Sequence, residues 1–179
     1  LSAEETQNLQ NALWVKGRLN PDLIAKSASD IAKATGLERP EINKLKMLMV
    51  EETGTGSEHP FSGEKLCPVL TVYRAASFED ACRQIEKIYD FQGKGHSVGL
   101  HSQDESRPLK MGMNLPACRV IVNQAHCFAT GGSFDNGLPF SLSMGCGTWG
   151  GNSISENLNY RHYLNIVRIV SPIPPVEPS

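Results

Sequence analysis

The segment 134–157, FDNGLPFSLSMGCGTWGGNSISEN, limits what this chain can fold into more than any other. With Gly131 and Gly132 just ahead of it, the region carries seven of the chain's sixteen glycines (131, 132, 137, 145, 147, 150 and 151). Glycine loses more backbone entropy than any other residue and brings no side chain to a core. Such density belongs where backbone takes positive φ, or where another backbone or a ligand comes very close. Gly145-Cys146-Gly147-Thr148-Trp149-Gly150 also matches GxGxxG. A dinucleotide fingerprint, however, needs a strand before it, a helix after it and an acid on a second strand about 20 residues on. Residues 139–143, PFSLS, make a poor strand, and the 29 residues after Gly150 end in prolines. Two readings stay open: a tight backbone crossing that closes one end of a sheet, and a glycine surface against which an active-site loop packs.

At 179 residues there is room for one domain, or a large piece of one, with a sizeable core. A net charge of −2 gives no handle for nucleic acid or an anionic membrane. No apolar run approaches the roughly 20 residues of a membrane span, and no signal segment is visible. Leu1 enters a helix almost at once and is not a Met, which is how an excised piece begins. Five cysteines at irregular spacing, with no CxxC, read as reduced thiols in a cytoplasmic protein.

Ser2 with Glu4 and Glu5 predicts a helix start, and Leu9, Leu13 and Trp14 give that helix an apolar face to about Lys16. Asn20-Pro21 is expected to open a second helix striped by Leu23, Ile24, Ala28, Ile31 and Ala32 and ended by Gly36. Residues 46–50 and 68–74 read as buried strands separated by a polar loop. Ser77-x-x-Asp80 starts a helix with Phe78, Ala81, Cys82, Ile85, Ile88 and Tyr89 facing inward. Strands follow at 96–101 and 118–123, with a short helix near 109–113 between them. Residues 163–170, YLNIVRIV, read as a last strand before the PIPPVEPS tail. This order predicts an α/β fold with mostly parallel pairing.

Four ordered blocks carry a resemblance. Residues 63–70 (GEKLCPVL), 95–97 (GHS), 123–132 (NQAHCFATGG) and 144–157 (MGCGTWGGNSISEN) resemble the catalytic domain of the CoA-acylating aldehyde dehydrogenases. The last two blocks are most similar to members that act on sulfoacetaldehyde. The resemblance implies the catalytic lobe of the aldehyde dehydrogenase fold: an α/β lobe with a mostly parallel sheet flanked by helices and a C-terminal oligomerisation strand. Residues 1–160 would be a partial catalytic domain lacking its first strand and helix, and 161–179 the oligomerisation strand and Pro-rich tail. It further implies a cysteine thiolate that attacks the aldehyde, hydride transfer to NAD or NADP, and acyl transfer to coenzyme A. The nucleophile and the nucleotide-binding lobe would precede Leu1, and none of the five cysteines matches the nucleophile motif. The fragment alone is therefore expected to be inactive. The alternative is a non-catalytic domain for subunit assembly or binding.

Carried over residue by residue, Glu64 is expected to hold the nicotinamide ribose, since one carboxylate can accept from both hydroxyls of the diol. His96 matches a histidine near the reacting centre, where an imidazole can move a proton. His126 and Cys127 would face the substrate, with His126 donating to a sulfonate in the sulfoacetaldehyde reading. The simpler reading of His96 is a strand-end histidine tied to backbone, and that of the loop pair is packing. His59, His101 and His162 have no spacing partners, so no metal is expected. Partners implied are a small aldehyde and further copies of the chain, with residues 163–170 pairing across subunits.

Overall fold

The computed structural model describes residues 1–175. Ser2 opens helix α1 (Ala3–Leu13) with a capping box: its hydroxyl accepts from the Glu5 amide, and the Glu5 carboxylate accepts from the Ser2 amide. Leu9 and Leu13 of α1 are fully buried. The helix stops one residue short of Trp14, which turns into a hairpin of β1 (Trp14–Val15) and β2 (Arg18–Leu19). Trp14 still packs inward, its ring edge-on to Phe61 with centroids 5.0 Å apart.

The second helix also differs from expectation. Asn20-Pro21 begins only a single 3-10 turn, Pro21–Leu23, and Ala25 then adopts φ 58° with its N–H bonded to the Leu66 carbonyl. No helix continues through a left-handed residue. Ser27 restarts the chain as α2 (Ala28–Ala34), its hydroxyl accepting from the Asp30 amide. The apolar stripe runs across both pieces because Leu23, Ala28, Ile31 and Ala32 fill one core. That core also holds Leu9, Leu13, Leu37, Leu48, Val50, Phe61 and Val69. Burying a side chain such as Leu9 or Ile31 stabilises the fold by about 2 kcal/mol.

Strand β3 (Leu48–Glu51) pairs in parallel with β4 (Val69–Val72), Leu48 opposite Val69. Helix α3 (Phe78–Phe91), capped by Ser77, leads to β5 (Val98–Leu100). Helix α4 (Ser106–Asn114) then crosses to β6 (Val120–Val122), which pairs in parallel with β5. Phe78, Cys82, Ile85 and Tyr89 of α3 pack on a second core of Val98, Met111, Leu115 and Ala117. The pairing is parallel as predicted, but it is split into two two-stranded units.

One further reading holds and one fails. Gly145 to Gly150 is preceded by an isolated bridge, Met144 to Asn157, and runs into a 3-10 turn, Thr148–Gly150. Without strand and helix it is no dinucleotide fingerprint. Nor is 163–170 a strand within the chain. Asn159 and His162 form a capping box around a 3-10 turn, Tyr160–Tyr163, and residues 164–175 have no ladder. A strand exists only through pairing, and among the described residues no strand pairs with this segment. Residues 176–179 of the Pro-rich tail lie outside the described residues. Among the described residues no helix is long and apolar enough to cross a membrane.

Candidate active site

Helix α3 ends at Phe91, and the turn behind it, Gln92-Gly93-Lys94-Gly95-His96-Ser97, delivers one of the four predicted blocks, 95–97, to β5. Gly95 makes this turn possible. It sits at φ 90°, donates to the Pro116 carbonyl and accepts from the Cys118 amide. An added Cβ there would overlap the Cys146 carbonyl oxygen and lie 2.9 Å from the Gly150 nitrogen. Gly145 and Gly150 are equally constrained, by the Ile154 carbonyl and by Cys146. The glycine-rich segment is thus a backbone crossing seated on the start of β5, the first of the two readings.

Arg119 holds that crossing from beneath. The residue is 6% exposed, and its guanidinium donates to Asn157 Oδ1 at 2.8 Å, to the Gly145 carbonyl at 3.0 Å and to the His96 carbonyl at 3.3 Å. No carboxylate among the described residues pairs with it, and Nη2 is buried without a partner. Asn157, also buried, donates on to the Thr130 and Pro139 carbonyls at 2.9 Å each. One Arg–Asn pair therefore ties together the His96 turn, the glycine crossing and the loop that follows the predicted substrate-facing residues. A charged residue inside the apolar run CRVIVN was the sequence signal for this hub; nothing in the sequence alone tells its partners.

His96 and His126 meet. His96 Nδ1 lies 2.7 Å from Ser97 Oγ, and Ser97 Oγ lies 2.8 Å from His126 Nε2. The Tyr89 hydroxyl fixes this turn from α3 by donating to the Ser97 carbonyl at 2.8 Å. Burial raises the Tyr89 pKa to about 12, so the phenol remains a donor. His126 opens the short helix α5 (His126–Ala129), and its ring lies over Gly99, where a Cβ would come within 2.9 Å of Nδ1. Burial, and then the neighbouring His96, push the His126 pKa below the usual imidazole value. Cys127 follows on the outer side, exposed and as a free thiol.

Glu64 stands apart as a side chain. Its carboxylate is exposed and has no hydrogen-bond or ion-pair partner among the described residues. Its backbone is fixed: the Glu64 amide donates to Gln92 Oε1 at 2.8 Å, which joins this loop to the turn carrying His96. Lys65 clamps the same loop, its half-buried ammonium donating to the Phe61 and Gly63 carbonyls at 2.7 Å and to Thr71 Oγ1 at 3.1 Å. Desolvation lowers the Lys65 pKa. A free carboxylate on a clamped backbone suits a diol ligand such as a ribose. Gln92 and Lys65 went unremarked because they hold backbone groups, and Ser97 because its hydroxyl bridges to a ring 29 residues on; spacing encodes neither.

Comparison with known proteins places this geometry. No family model matches the chain. It is 57% identical over 97% of its length to the acylating sulfoacetaldehyde dehydrogenase of Cupriavidus necator, covering 35% of that protein. It is 37% identical over 93% of its length to the acetylating succinate-semialdehyde dehydrogenase of Clostridium kluyveri, covering 36%. Among solved structures, the acetylating aldehyde dehydrogenase of Geobacillus thermoglucosidasius superimposes with a TM-score of 0.87 at 34% identity, over 97% of this chain and 38% of that one. The chain thus spans little more than a third of the length of these relatives.

Proposed function

This chain belongs to the acylating aldehyde dehydrogenase family, and from that premise we propose that it is the part of an oxidoreductase that converts a short aldehyde, best matched by sulfoacetaldehyde, to its acyl-CoA. The observation that carries the proposal is the meeting of the GHS turn with the NQAHCFATGG loop through Ser97, with a free Glu64 carboxylate on a loop whose backbone Gln92 joins to the same turn. NAD or NADP, when bound, would accept the hydride. Glu64 would hold its nicotinamide ribose, since the carboxylate has no competing partner in the protein. His96 would take the proton from the coenzyme A thiol during acyl transfer, because its Nε2 is free and its ring is exposed. His126 and Cys127 would face the aldehyde's substituent.

The nucleophilic thiol would come from outside these residues. Burial raises the pKa of Cys67, Cys82 and Cys118, which disfavours the thiolate. No thiol among the described residues is hydrogen-bonded to an imidazole, the arrangement that activates a catalytic cysteine. No metal has a part in this proposal.

The test is NAD(P)H formation from sulfoacetaldehyde, acetaldehyde and propionaldehyde, with and without coenzyme A. Both the 179-residue chain and the full-length enzyme are assayed. The expected result is turnover by the full-length enzyme only, with sulfoacetaldehyde the best substrate. In that enzyme Glu64→Gln raises the KM for the nicotinamide cofactor by roughly tenfold, the loss of one charge-assisted hydrogen bond. Turnover by the short chain alone would return the role of nucleophile to one of its five cysteines.

A further inference from the structure

We infer that His126 is a positioning residue for His96, acting through the Ser97 hydroxyl, so that the pair takes up a single proton beyond its neutral state. The inference rests on the reading of His96 as the group that takes the thiol proton.

A serine hydroxyl has one proton. Lying 2.7 Å from His96 Nδ1 and 2.8 Å from His126 Nε2, Ser97 Oγ donates to one ring and accepts from the other. The two rings therefore hold the same tautomer, both protonated on Nε2 or both on Nδ1. In one arrangement His126 Nε2–H donates to Oγ, Oγ–H donates to His96 Nδ1, and His96 carries its proton on Nε2. In the other, His96 Nδ1–H donates to Oγ, Oγ–H donates to His126 Nε2, and His96 Nε2 has a free lone pair. Only the second arrangement makes His96 a base toward an incoming thiol.

In that arrangement the proton balance closes without any redox partner. The thiol S–H bond breaks and its proton goes to His96 Nε2. The Nδ1–H keeps donating to Ser97 Oγ, and the Oγ–H keeps donating to His126 Nε2. His96 becomes the imidazolium, a thiolate is left, and His126, whose basicity burial lowers, stays neutral. A second proton is resisted by repulsion between two rings bridged by a single oxygen.

The surroundings favour this assignment over loop packing. His126 is the first residue of a four-residue helix, and its Nδ1 faces Gly99, where any side chain would collide with it. The Ser97 backbone is anchored by Tyr89 from α3, and the His96 backbone by Arg119 from the approach to β6. Tyr89 and Arg119 both bind backbone carbonyls, and the nearby Lys94 is paired with Asp90. The ring-to-ring link is therefore made by the Ser97 side chain.

The experiment uses the full-length enzyme labelled with nitrogen-15 histidine. Nuclear magnetic resonance follows the tautomer and titration of His96 and His126, and the pH profile of acyl transfer to coenzyme A is recorded beside it. The wild type is expected to titrate as a coupled pair in two steps separated by about one pH unit or more. His126→Gln collapses them to one His96 step lying between the two. It also moves the acidic limb of the profile to lower pH by roughly half a unit. Ser97→Ala uncouples the rings, and Ser97→Thr, which keeps the hydroxyl, restores the coupling. Unchanged melting of Ser97→Thr reports that the turn is intact. If the His96 tautomer and titration are the same in wild type, Ser97→Ala and His126→Gln, the inference is overturned, even where His96→Gln abolishes activity and so supports the reading of His96. If the rings are coupled but the profile ignores both His126→Gln and His96→Gln, the reading of His96 has failed, and the positioning role with it.

Discussion

Arg119 and Gly95 show how much of the site depends on single residues. Replacing Arg119 with Met keeps the approximate length and removes every donor. It leaves the buried Asn157 Oδ1, and the part-buried carbonyls of Gly145 and His96, without the donor that meets them. Each such orphan costs about 1–3 kcal/mol, so Arg119→Met is expected to destabilise by about 3 kcal/mol or more in urea unfolding. The buried charge had no carboxylate partner to lose, so the effect should hardly depend on salt. Gly95→Ala fails for a different reason. It places a Cβ on a residue at φ 90° and drives it into the Cys146 carbonyl, which is backbone and cannot swing aside. Gly17 is the internal control, at φ 73° with open space around the position. Gly17→Ala should cost about 1 kcal/mol, the left-handed penalty alone. Gly95→Ala should cost at least about 3 kcal/mol and leave little folded enzyme. Equal losses in the two variants would mean that the crossing is looser than its contacts imply.

At the scale of elements, what was legible in the sequence follows what is local. The Ser2 and Ser77 caps, the strand at 69–72 and the helix behind Ser77 follow from neighbours in sequence, and they formed where expected. The second helix was misplaced because one apolar stripe served two short pieces across a left-handed Ala25, a residue type that gives no warning of positive φ. Its true start is a cap: Ser27 Oγ accepts from the Asp30 amide at 3.1 Å. Ser27→Ala is therefore expected to cost about 1 kcal/mol, whereas Asn20→Ala, at the start first assigned, should affect the 3-10 turn and leave α2 in place. Amide hydrogen exchange across 28–34 separates the two. The site was legible in a similar way. Glu64, His96 and His126 were named from their blocks, and the geometry brings the two histidines to one hydroxyl. Ser97, Gln92 and the Arg119–Asn157 pair were not legible as site residues. The hub's partners lie from 18 to 38 residues away, that of Gln92 28 away, and the second ring on Ser97 29 away, where pattern along the chain has no reach.

At the scale of the whole molecule, the last described segment is one that the rest of the described fold does not cover. Leu164, Ile166, Val167, Ile169, Val170 and Ile173 are between 59% and 94% exposed, while the 3-10 turn before them is pinned by the Asn159–His162 box. Six apolar side chains in ten residues, left in water, are costly unless another surface receives them. A stretch of alternating, branched residues with unpaired backbone groups is suited to adding itself as a strand to a sheet edge. We therefore expect copies of the full-length enzyme to associate through 163–170, as the resemblance to the family implied. Val167→Asp with Ile169→Asp introduces charge where pairing would bury the chain, without touching either core. Light scattering should then show a smaller species than the wild type, with a melting temperature that no longer rises with protein concentration. The two histidines draw no contact from this segment, so the isolated species should keep the coupled imidazole titration even as its assembly is lost. An unchanged mass would mean that the segment is buried against its own chain and that subunits meet elsewhere.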